Sequence, residues 1–308
     1  MRKNQRRKYA RIPFEKERIS KVKKIYGVRF KLGFSNARGK KSRIGGRLSF
    51  LLSDFKNRTA EENTRSCVNF YQLKKLPHPI HQDLNEEPLL ENYSFLIITD
   101  PHIKSTNHRN LEKLPNACLD SDAFVVFTGD ATTKGTEEQL AIFNLYIQKM
   151  PIPVYPVIGN HDIYHNNWKT WFKYMGQSVY RIDSGSTTLL MLDSANGILG
   201  SHQLEWLEQQ LETPNKHVFV FSHCNFFIPR ETIAQQFSNL TERSKFINIC
   251  ANKVQAVFTG HSHRLYSHVA KNVPYINLDD FRDTGTFCRV NVTPKGFQCT
   301  YGSVADIR

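Results

Sequence analysis

The sequence lacks the features of a membrane-spanning, secreted or disulfide-stabilised protein. It contains no uninterrupted apolar run of the roughly 18 to 20 residues that a transmembrane helix requires. Its basic first residues are not followed by the apolar block of a signal peptide. Its six cysteines include no C-x-x-C pair, and a chain of 308 residues does not need disulfides for its stability. We therefore expect a cytoplasmic protein with reduced thiols, and a peripheral association with membranes stays open.

Acidic residues are scarce at the start of the chain. Residues 1–58 contain 20 of the 42 Lys and Arg residues but three of the 28 Asp and Glu residues, so the remainder is slightly acidic. We expect this basic N-terminal arm to be partly disordered, because its charges repel one another and it has little to bury. The arm suits an anionic membrane surface or nucleic acid. A solvated tail without a partner, or a start codon placed too early, is the alternative.

The pattern changes near residue 93. Residues 59–92 are polar, include Pro77 and Pro79, and predict a linker. From residue 93 to 308, with 40% hydrophobic residues in the chain as a whole, we expect one large domain. Apolar, β-branched runs recur there, each ending in a polar or glycine-containing loop, which is typical of buried strands. The six runs are SFLIIT, AFVVFT, VYPVI, TTLLML, HVFVFS and VQAVFT.

Helical patterns separate several of these runs. One covers Thr136 to Met150 and opens with a Thr-x-x-Gln capping box, and another covers Ser201 to Glu212. Alternating strands and helices predict an α/β sheet protein with ligand-binding loops at the strand ends. The last runs, PYINLD, TFCRVNV and GFQCTY, follow one another without helical patterns and predict an antiparallel end to the sheet system.

Metal-ligand residue types follow five of the predicted strands. The candidate ligands are Asp100, His102, Asp130, Asn160, His223, His261 and His263. A single His in a loop has many explanations, but five such strand ends together favour a metal site. If the segments are extended, residues two apart face the same way, so Asp100 pairs with His102 and His261 pairs with His263. Strand alternation directs Cys224 away from the site.

Seven ligands are one short of two four-coordinate protein shells, and a bridging carboxylate closes that gap. Two metals about 3.5 to 4 Å apart, joined by an Asp and a hydroxide nucleophile, are an arrangement that stabilises the attacking and leaving oxygens of phosphoryl transfer. Nitrogen and oxygen ligands without thiolate suit transition metals such as Mn, Fe or Zn, in divalent or mixed-valence pairs. Gly129, Gly159 and Gly260 allow the backbone to turn sharply and approach such a site.

The motifs Asp-x-His, Gly-Asp, Gly-Asn-His-Asp, a lone strand-end His and Gly-His-x-His occur in this order and resemble those of the calcineurin-like metallophosphoesterases. The resemblance spans residues 94 to 263 by motif and implies a four-layer α-β-β-α sandwich reaching about residue 302. It implies two metal sites that share Asp130. Asp100, His102 and His263 would complete one site, and Asn160, His223 and His261 would complete the other. It also implies that His161 acts as general acid or charge stabiliser, oriented by Asp162.

A narrower likeness concerns the segment LDSANGILGSHQLEWLEQQL. It is similar to a segment in the branch that holds class III cyclic-nucleotide phosphodiesterases and glycerophosphodiesterases. The sequence departs at two points from related enzymes, and both differences bear on which substrate it cleaves. Ile163 and Tyr164 follow the Gly-Asn-His-Asp motif where the cyclic-nucleotide enzymes often have Arg, and His161 stands where the lipid A pathway pyrophosphatases have Arg.

These observations favour a binuclear-metal-dependent hydrolase of phosphoric esters, and of phosphodiesters in particular. A nuclease or a phosphomonoesterase on the same fold is an alternative, and the basic arm is the argument for the nuclease. A non-catalytic metal-binding scaffold is another, although the presence of all seven ligands and His161 favours an enzyme. Specificity would lie in loops such as 165–176 and 224–240, whose aromatic residues we expect to be core. The oligomeric state stays open.

Overall fold

The computed structural model describes residues 89–104, 108–164, 168–227, 237 and 239–307. The predicted basic arm lies outside these residues, and so does the predicted linker apart from its last four positions. None of the helices in the described part of the chain combines the length and the apolar character needed to cross a bilayer.

Within the described residues the strands form two sheets. The first contains β1 (Tyr93–Ile98), β2 (Asp122–Thr128), β3 (Val154–Val157), β10 (Thr286–Thr293) and β11 (Gly296–Ser303), in the order β11-β10-β1-β2-β3. The second contains β4 (Tyr180–Ser184), β5 (Thr187–Met191), β6 (His217–Phe221), β7 (Ala256–Thr259), β8 (Tyr266–Ala270) and β9 (Val273–Asn277), in the order β4-β5-β6-β7-β9-β8. β1, β2 and β3 run parallel, as do β5, β6, β7 and β9.

Helices cover the outer faces of the two sheets. They are α1 (Arg109–Lys113), α2 (Glu137–Gln148), α3 (Trp168–Met175), α4 (Ser201–Gln210), α5 (Leu240–Cys250) and the short α6 (Phe281–Thr284). Two 3-10 turns, Leu114–Ala117 and Val304–Asp306, complete the regular structure of the described residues. α2 begins after Thr136, whose side chain accepts a hydrogen bond from the amide of Gln139, so the predicted cap is present.

Strand alternation divides the interior into three apolar layers. Phe95 of β1 packs edge-on against Phe219 of β6, with ring centroids 5.3 Å apart, in the core between the sheets. Leu96, the next residue of β1, packs in the core that includes α2 and α3. Val220 of β6 packs in the core that includes α4 and α5. Because successive strand residues face opposite sides, the chain forms the predicted α-β-β-α sandwich.

The sequence prediction was incomplete at the sheet edges. The edge strands β4 and β8 were not predicted, because their exposed polar residues interrupt any apolar run. β10 and β11 are antiparallel as expected, and β9, which contains the PYIN run, is antiparallel to β8 and parallel to β7. Most of the predicted 165–176 loop is the helix α3, and the aromatic prediction holds there for Trp171, which is fully buried.

Candidate metal centre

The loops that follow β1, β2, β3, β6 and β7 bring all seven predicted ligands together. Asp100, His102 and His263 form the first group. Nε2 of His263 lies 3.0 Å from Oδ1 of Asp100 and 3.2 Å from Nε2 of His102, and the latter lies 3.4 Å from the same Asp100 oxygen. Three potential ligand atoms of mixed nitrogen and oxygen type therefore surround one point.

A second group lies beside the first. Asp130, His223 and His261 each offer a ligand atom to it. Nε2 of His223 lies 3.3 Å from Oδ1 of Asp130 and 3.2 Å from Nδ1 of His261. Oδ1 of Asn160 lies 3.0 Å from the same Nε2 atom of His223. This group contains the four residues that the family resemblance implied for one of the two metal sites.

Asp130 lies between the two groups. Its Oδ1 atom faces His223 of the second group, and its Oδ2 atom lies 3.7 Å from Nε2 of His102 in the first. Asp130 is buried, and both of its oxygens face side chains of the cluster. One carboxylate can therefore serve both groups.

The backbone of the ligand loops differs from the sequence prediction. The i, i+2 argument assumed extended segments, but Asp100 and His102 have φ values of 54° and 48°. His261 and His263 have φ values of 69° and 52°, and Asp130 has 51°. Each such left-handed residue costs on the order of 1 kcal/mol or more, and such residues persist where the surrounding structure holds them for function. The loops are therefore bent and not extended, and their strained residues are evidence that these loops form a functional site.

Two glycines allow the loops to approach one another. A Cβ atom on Gly159 would collide with the backbone and side chain of Asp130, and one on Gly260 would collide with Thr99 and Asp100. These glycines are required for close packing at the site, as the sequence predicted. Gly129, with a φ of 95°, also supplies a left-handed turn.

Hydrogen bonds from outside the cluster orient the ligands. Nδ1 of His223 lies 2.9 Å from the carbonyl oxygen of Thr128, which can only accept, so it carries the proton and leaves Nε2 to face the site. Oδ2 of Asp100 accepts from the hydroxyl of Thr99 at 2.5 Å and from the amide of His261 at 2.9 Å. Oδ1 of Asp100 is thereby left to the first group.

His161 adjoins the cluster, and the carbonyl of Thr133 orients its ring. Nδ1 of His161 donates to that carbonyl at 2.8 Å, and Nε2 lies 3.8 Å from Oδ2 of Asp130. The family resemblance implied that Asp162 orients this ring. Its buried carboxylate accepts from the amides of Gly159 and Thr132 at 2.9 and 2.8 Å. It therefore fixes the loops around the ring.

The ionisable groups of the cluster change one another's pKa values. Burial raises the pKa of Asp100, but hydrogen bonds from His102 and His263 outweigh it and hold the pKa well below its ordinary value. Burial lowers the pKa of His223, but Asp130 outweighs it and raises the pKa to about 10. Burial lowers the pKa of His261 to about 3, so its imidazole is neutral. A positive charge is favoured beside Asp130, whether it is a proton or a metal cation.

A family model for calcineurin-like phosphoesterases matches residues 93–265, which include every residue of the two groups. The chain belongs to the calcineurin-like phosphoesterase family. Two curated relatives match this phosphoesterase. A probable glycerophosphodiester phosphodiesterase, GpdQ, of Arcobacter nitrofigilis is 30% identical over 149 residues, which are 41% of this chain and 55% of the relative. A probable cyclic nucleotide phosphodiesterase of Fibrobacter succinogenes is 26% identical over 146 residues, which are 45% of this chain and 57% of the relative.

The alignments thus span a little over half of each curated relative. Both relatives carry the names of the branch that the sequence predicted, which confirms that placement. Among solved structures, the GAP50 anchor of the Plasmodium inner membrane complex superposes with a TM-score of 0.57 at 12% identity, covering 71% of this chain and 87% of that one. A dimetal phosphatase from Danio rerio superposes with a TM-score of 0.52 at 13% identity, covering 69% and 99%. These similarities confirm the fold.

The donor atoms of the phosphoesterase fit transition metals. Ligand atoms about 2.0 to 2.2 Å from one ion are separated from each other by roughly 3 to 3.5 Å. The contacts among Asp100, His102 and His263, at 3.0 to 3.4 Å, have this spacing. Imidazole and carboxylate groups without thiolate suit Mn, Fe or Zn. Sγ of Cys224 instead donates to the carbonyl of Ser194 at 3.1 Å.

Two buried side chains that support the site were not predicted from the sequence. Nδ2 of Asn277, at the end of β9, donates to Oγ of Ser262 and to the carbonyl of Arg264, both at 2.8 Å, and so fixes the loop of His261 and His263. His108 bonds the carbonyl of Pro101 at 2.5 Å and fixes the loop of Asp100 and His102. A polar residue ending the PYIN run was the one available signal for Asn277.

Proposed function

We propose that this phosphoesterase hydrolyses phosphodiesters at a centre of two transition metal ions. The observation that carries the proposal is the position of Asp130, whose two carboxylate oxygens face His102 of one ligand group and His223 of the other. The first ion would be held by Asp100, His102, His263 and Asp130. The second would be held by Asp130, Asn160, His223 and His261.

The metal ions and the protein side chains would have different roles in the reaction. Two such ions supply a water nucleophile at neutral pH and neutralise the charge that develops on the phosphoryl oxygens. The protein holds their ligands rigidly, because the loops are strained and cross-bonded. His161, with Nδ1 committed to the carbonyl of Thr133, presents Nε2 beside Asp130. We assign His161 to the stabilisation or protonation of the leaving oxygen, and Asp162 to the positioning of the loops.

A diester is the preferred substrate class because both curated relatives are named as phosphodiesterases, one for glycerophosphodiesters and one for cyclic nucleotides. We propose Mn, Fe or Zn as the ions, on the basis of the nitrogen and oxygen ligands.

A nuclease is the second candidate, and the charge of residues 1–58 is the observation that favours it. We propose that this arm binds an anionic surface, with lipid slightly preferred over nucleic acid, because Tyr26, Phe30 and Phe34 are interleaved with its basic residues. Against a nuclease, residues 59–308 contain 22 basic and 25 acidic residues, so there is no excess of positive charge outside the arm.

A substrate screen tests the proposal. The full-length protein, supplied in turn with Mn, Fe and Zn, would be assayed on aryl phosphomonoesters, linear and cyclic phosphodiesters, and single-stranded and duplex DNA. We expect the highest kcat/KM on a small phosphodiester and no turnover after chelation of the metals. A preference for monoesters or DNA would favour the alternatives, and inactivity on every substrate despite two bound metals would contradict the assignment as an enzyme.

A further inference from the structure

Two exposed lysines lie directly beyond two of the ligand loops. Lys104 comes two residues after His102, and Lys134 comes four residues after Asp130. In the described part of the chain neither ammonium group has a carboxylate partner. Glu137, the first carboxylate after Lys134 in the sequence, pairs instead with a lysine of α3. Both positive charges are therefore free to attract an anion from solution.

Backbone pairing places the two lysines at the same end of their loops. Ile103 and Thr132 form a parallel bridge, and the amide of Thr133 donates to the carbonyl of Ile103 at 3.0 Å. Lys104 is the next residue after Ile103, and Lys134 is the next residue after Thr133. Two cations thus follow a paired stretch of backbone on neighbouring positions, and we call Lys104 and Lys134 the lysine pair.

The lysine pair lies on the His161 side of the cluster. The residue before Lys134 is Thr133, whose carbonyl holds Nδ1 of His161 at 2.8 Å. The residue after it is Gly135, where a Cβ atom would collide with the carbonyl oxygens of His161 and Asp162. Lysine has a flexible four-carbon stem, so its ammonium can reach a group bound beside this imidazole. That position belongs to the leaving group, because we assign His161 to the leaving oxygen.

We propose that the lysine pair binds an anionic substituent of the leaving group. The phosphoesterase would then prefer diesters whose leaving alcohol or phenol carries a carboxylate or a second phosphate. This inference rests on the proposed phosphodiesterase function and narrows its substrate class. An ammonium offers three hydrogen-bond donors and a compact charge, which suit either anion. Because the substituent is charged before the reaction begins, the contact should lower KM more than it raises kcat.

Two diesters that differ in the charge of the leaving group test the proposal. Methyl 3-carboxyphenyl phosphate and methyl 3-carbamoylphenyl phosphate have nearly the same shape, but the first carries a carboxylate and the second a neutral amide. The measured quantity is the ratio of kcat/KM for the first ester to kcat/KM for the second. We expect Lys104→Gln and Lys134→Gln each to lower this ratio roughly two- to fivefold, as for loss of an exposed ion pair, and mainly through KM. The double variant should lower it further.

Lys245→Gln is the matched control, because Lys245 is exposed on α5, in the layer outside the second sheet. It removes one positive charge and should leave the ratio as in the wild type. Elemental analysis should find the same metal content in all variants. An unchanged ratio in the double variant would overturn the inference, as would an equal loss on both esters or an equal fall in Lys245→Gln. In those cases hydrolysis of both esters by the wild type would still support the proposed function. Hydrolysis of neither ester would contradict the proposed function and this inference together.

Discussion

Oδ1 of Asp130 lies 3.3 Å from Nε2 of His223, and both side chains are buried. The two residues follow different strands of different sheets, β2 and β6. The pair therefore joins the sheets at their shared edge. The other oxygen of the carboxylate faces His102, so this contact also links the two ligand groups.

We expect Asp130→Asn to lose both metal ions, because one carboxylate serves both groups and an amide lacks the second anionic oxygen. Elemental analysis of the purified variant measures this. Asp193→Asn is the matched control, since Asp193 follows β5 and accepts hydrogen bonds from Ser178 and from the amide of Ala195. Normal metal content and activity in Asp130→Asn would show that the carboxylate does not bridge.

His161→Ala should keep its metals and lose turnover by roughly a hundredfold to ten-thousandfold, the usual contribution of general acid or charge assistance. The reason is that Nε2 lies 3.8 Å from Asp130 and outside both groups of assigned ligands. Metal analysis and kcat on an ester with a poor leaving group measure the effect. His202→Ala, on the surface of α4, is the control. An unchanged rate in His161→Ala would remove the residue from the mechanism.

Asn277→Leu should weaken metal binding by about tenfold, because the shape is nearly kept while the bonds to Ser262 and Arg264 are lost. Titration with a chelator, followed by elemental analysis, measures the affinity. The loss should concern the loop of His261 and His263. Asn215→Leu, on an exposed loop, should bind metals as the wild type does. If both variants bind equally well, Asn277 has no part in orienting the histidines.

The ion pair between Arg289 and Asp122 is buried, so its loss should destabilise the protein more than the loss of an exposed pair. Arg289 donates to both carboxylate oxygens of Asp122, whose side chain is fully buried. We expect Arg289→Met to lower the free energy of unfolding by about 3 kcal/mol, because it leaves a buried charge without its partner. Arg181→Met, which breaks the partly exposed pair with Asp183, should cost less than about 1 kcal/mol. Urea unfolding measures both, and equal costs would contradict the argument.

Removal of residues 1–84 should leave a protein that folds, binds metals and hydrolyses small phosphodiesters as the full chain does, since residues 1–58 hold most of the excess positive charge. Co-sedimentation with anionic liposomes and gel shifts with DNA, over a salt series, measure what the arm adds. We expect the full chain alone to bind liposomes, and its binding to fade with salt because contacts are screened over about 8 Å at physiological ionic strength. Equal binding by both proteins, or misfolding of the truncated one, would make the arm part of the domain.

The sequence by itself determined the residue types at the strand ends, the capped helix α2 and the alternation that produces four layers. These are local properties, because apolar periodicity and side-chain chemistry are read from neighbouring residues. The edge strands β4 and β8 were not predicted for the same reason, since their half-exposed residues carry no regular pattern.

Only the tertiary structure brings the ligands of each group together. Asp100 and His263 are 163 positions apart, and the strand order of two sheets is what places their side chains 3.0 Å from each other. It also decided the backbone of the loops, where long-range packing stabilises left-handed residues that local preference disfavours. The contacts of Asn277 with Ser262 and of Asp162 with Thr132 belong to the same class, because they join segments that sequence spacing alone does not relate.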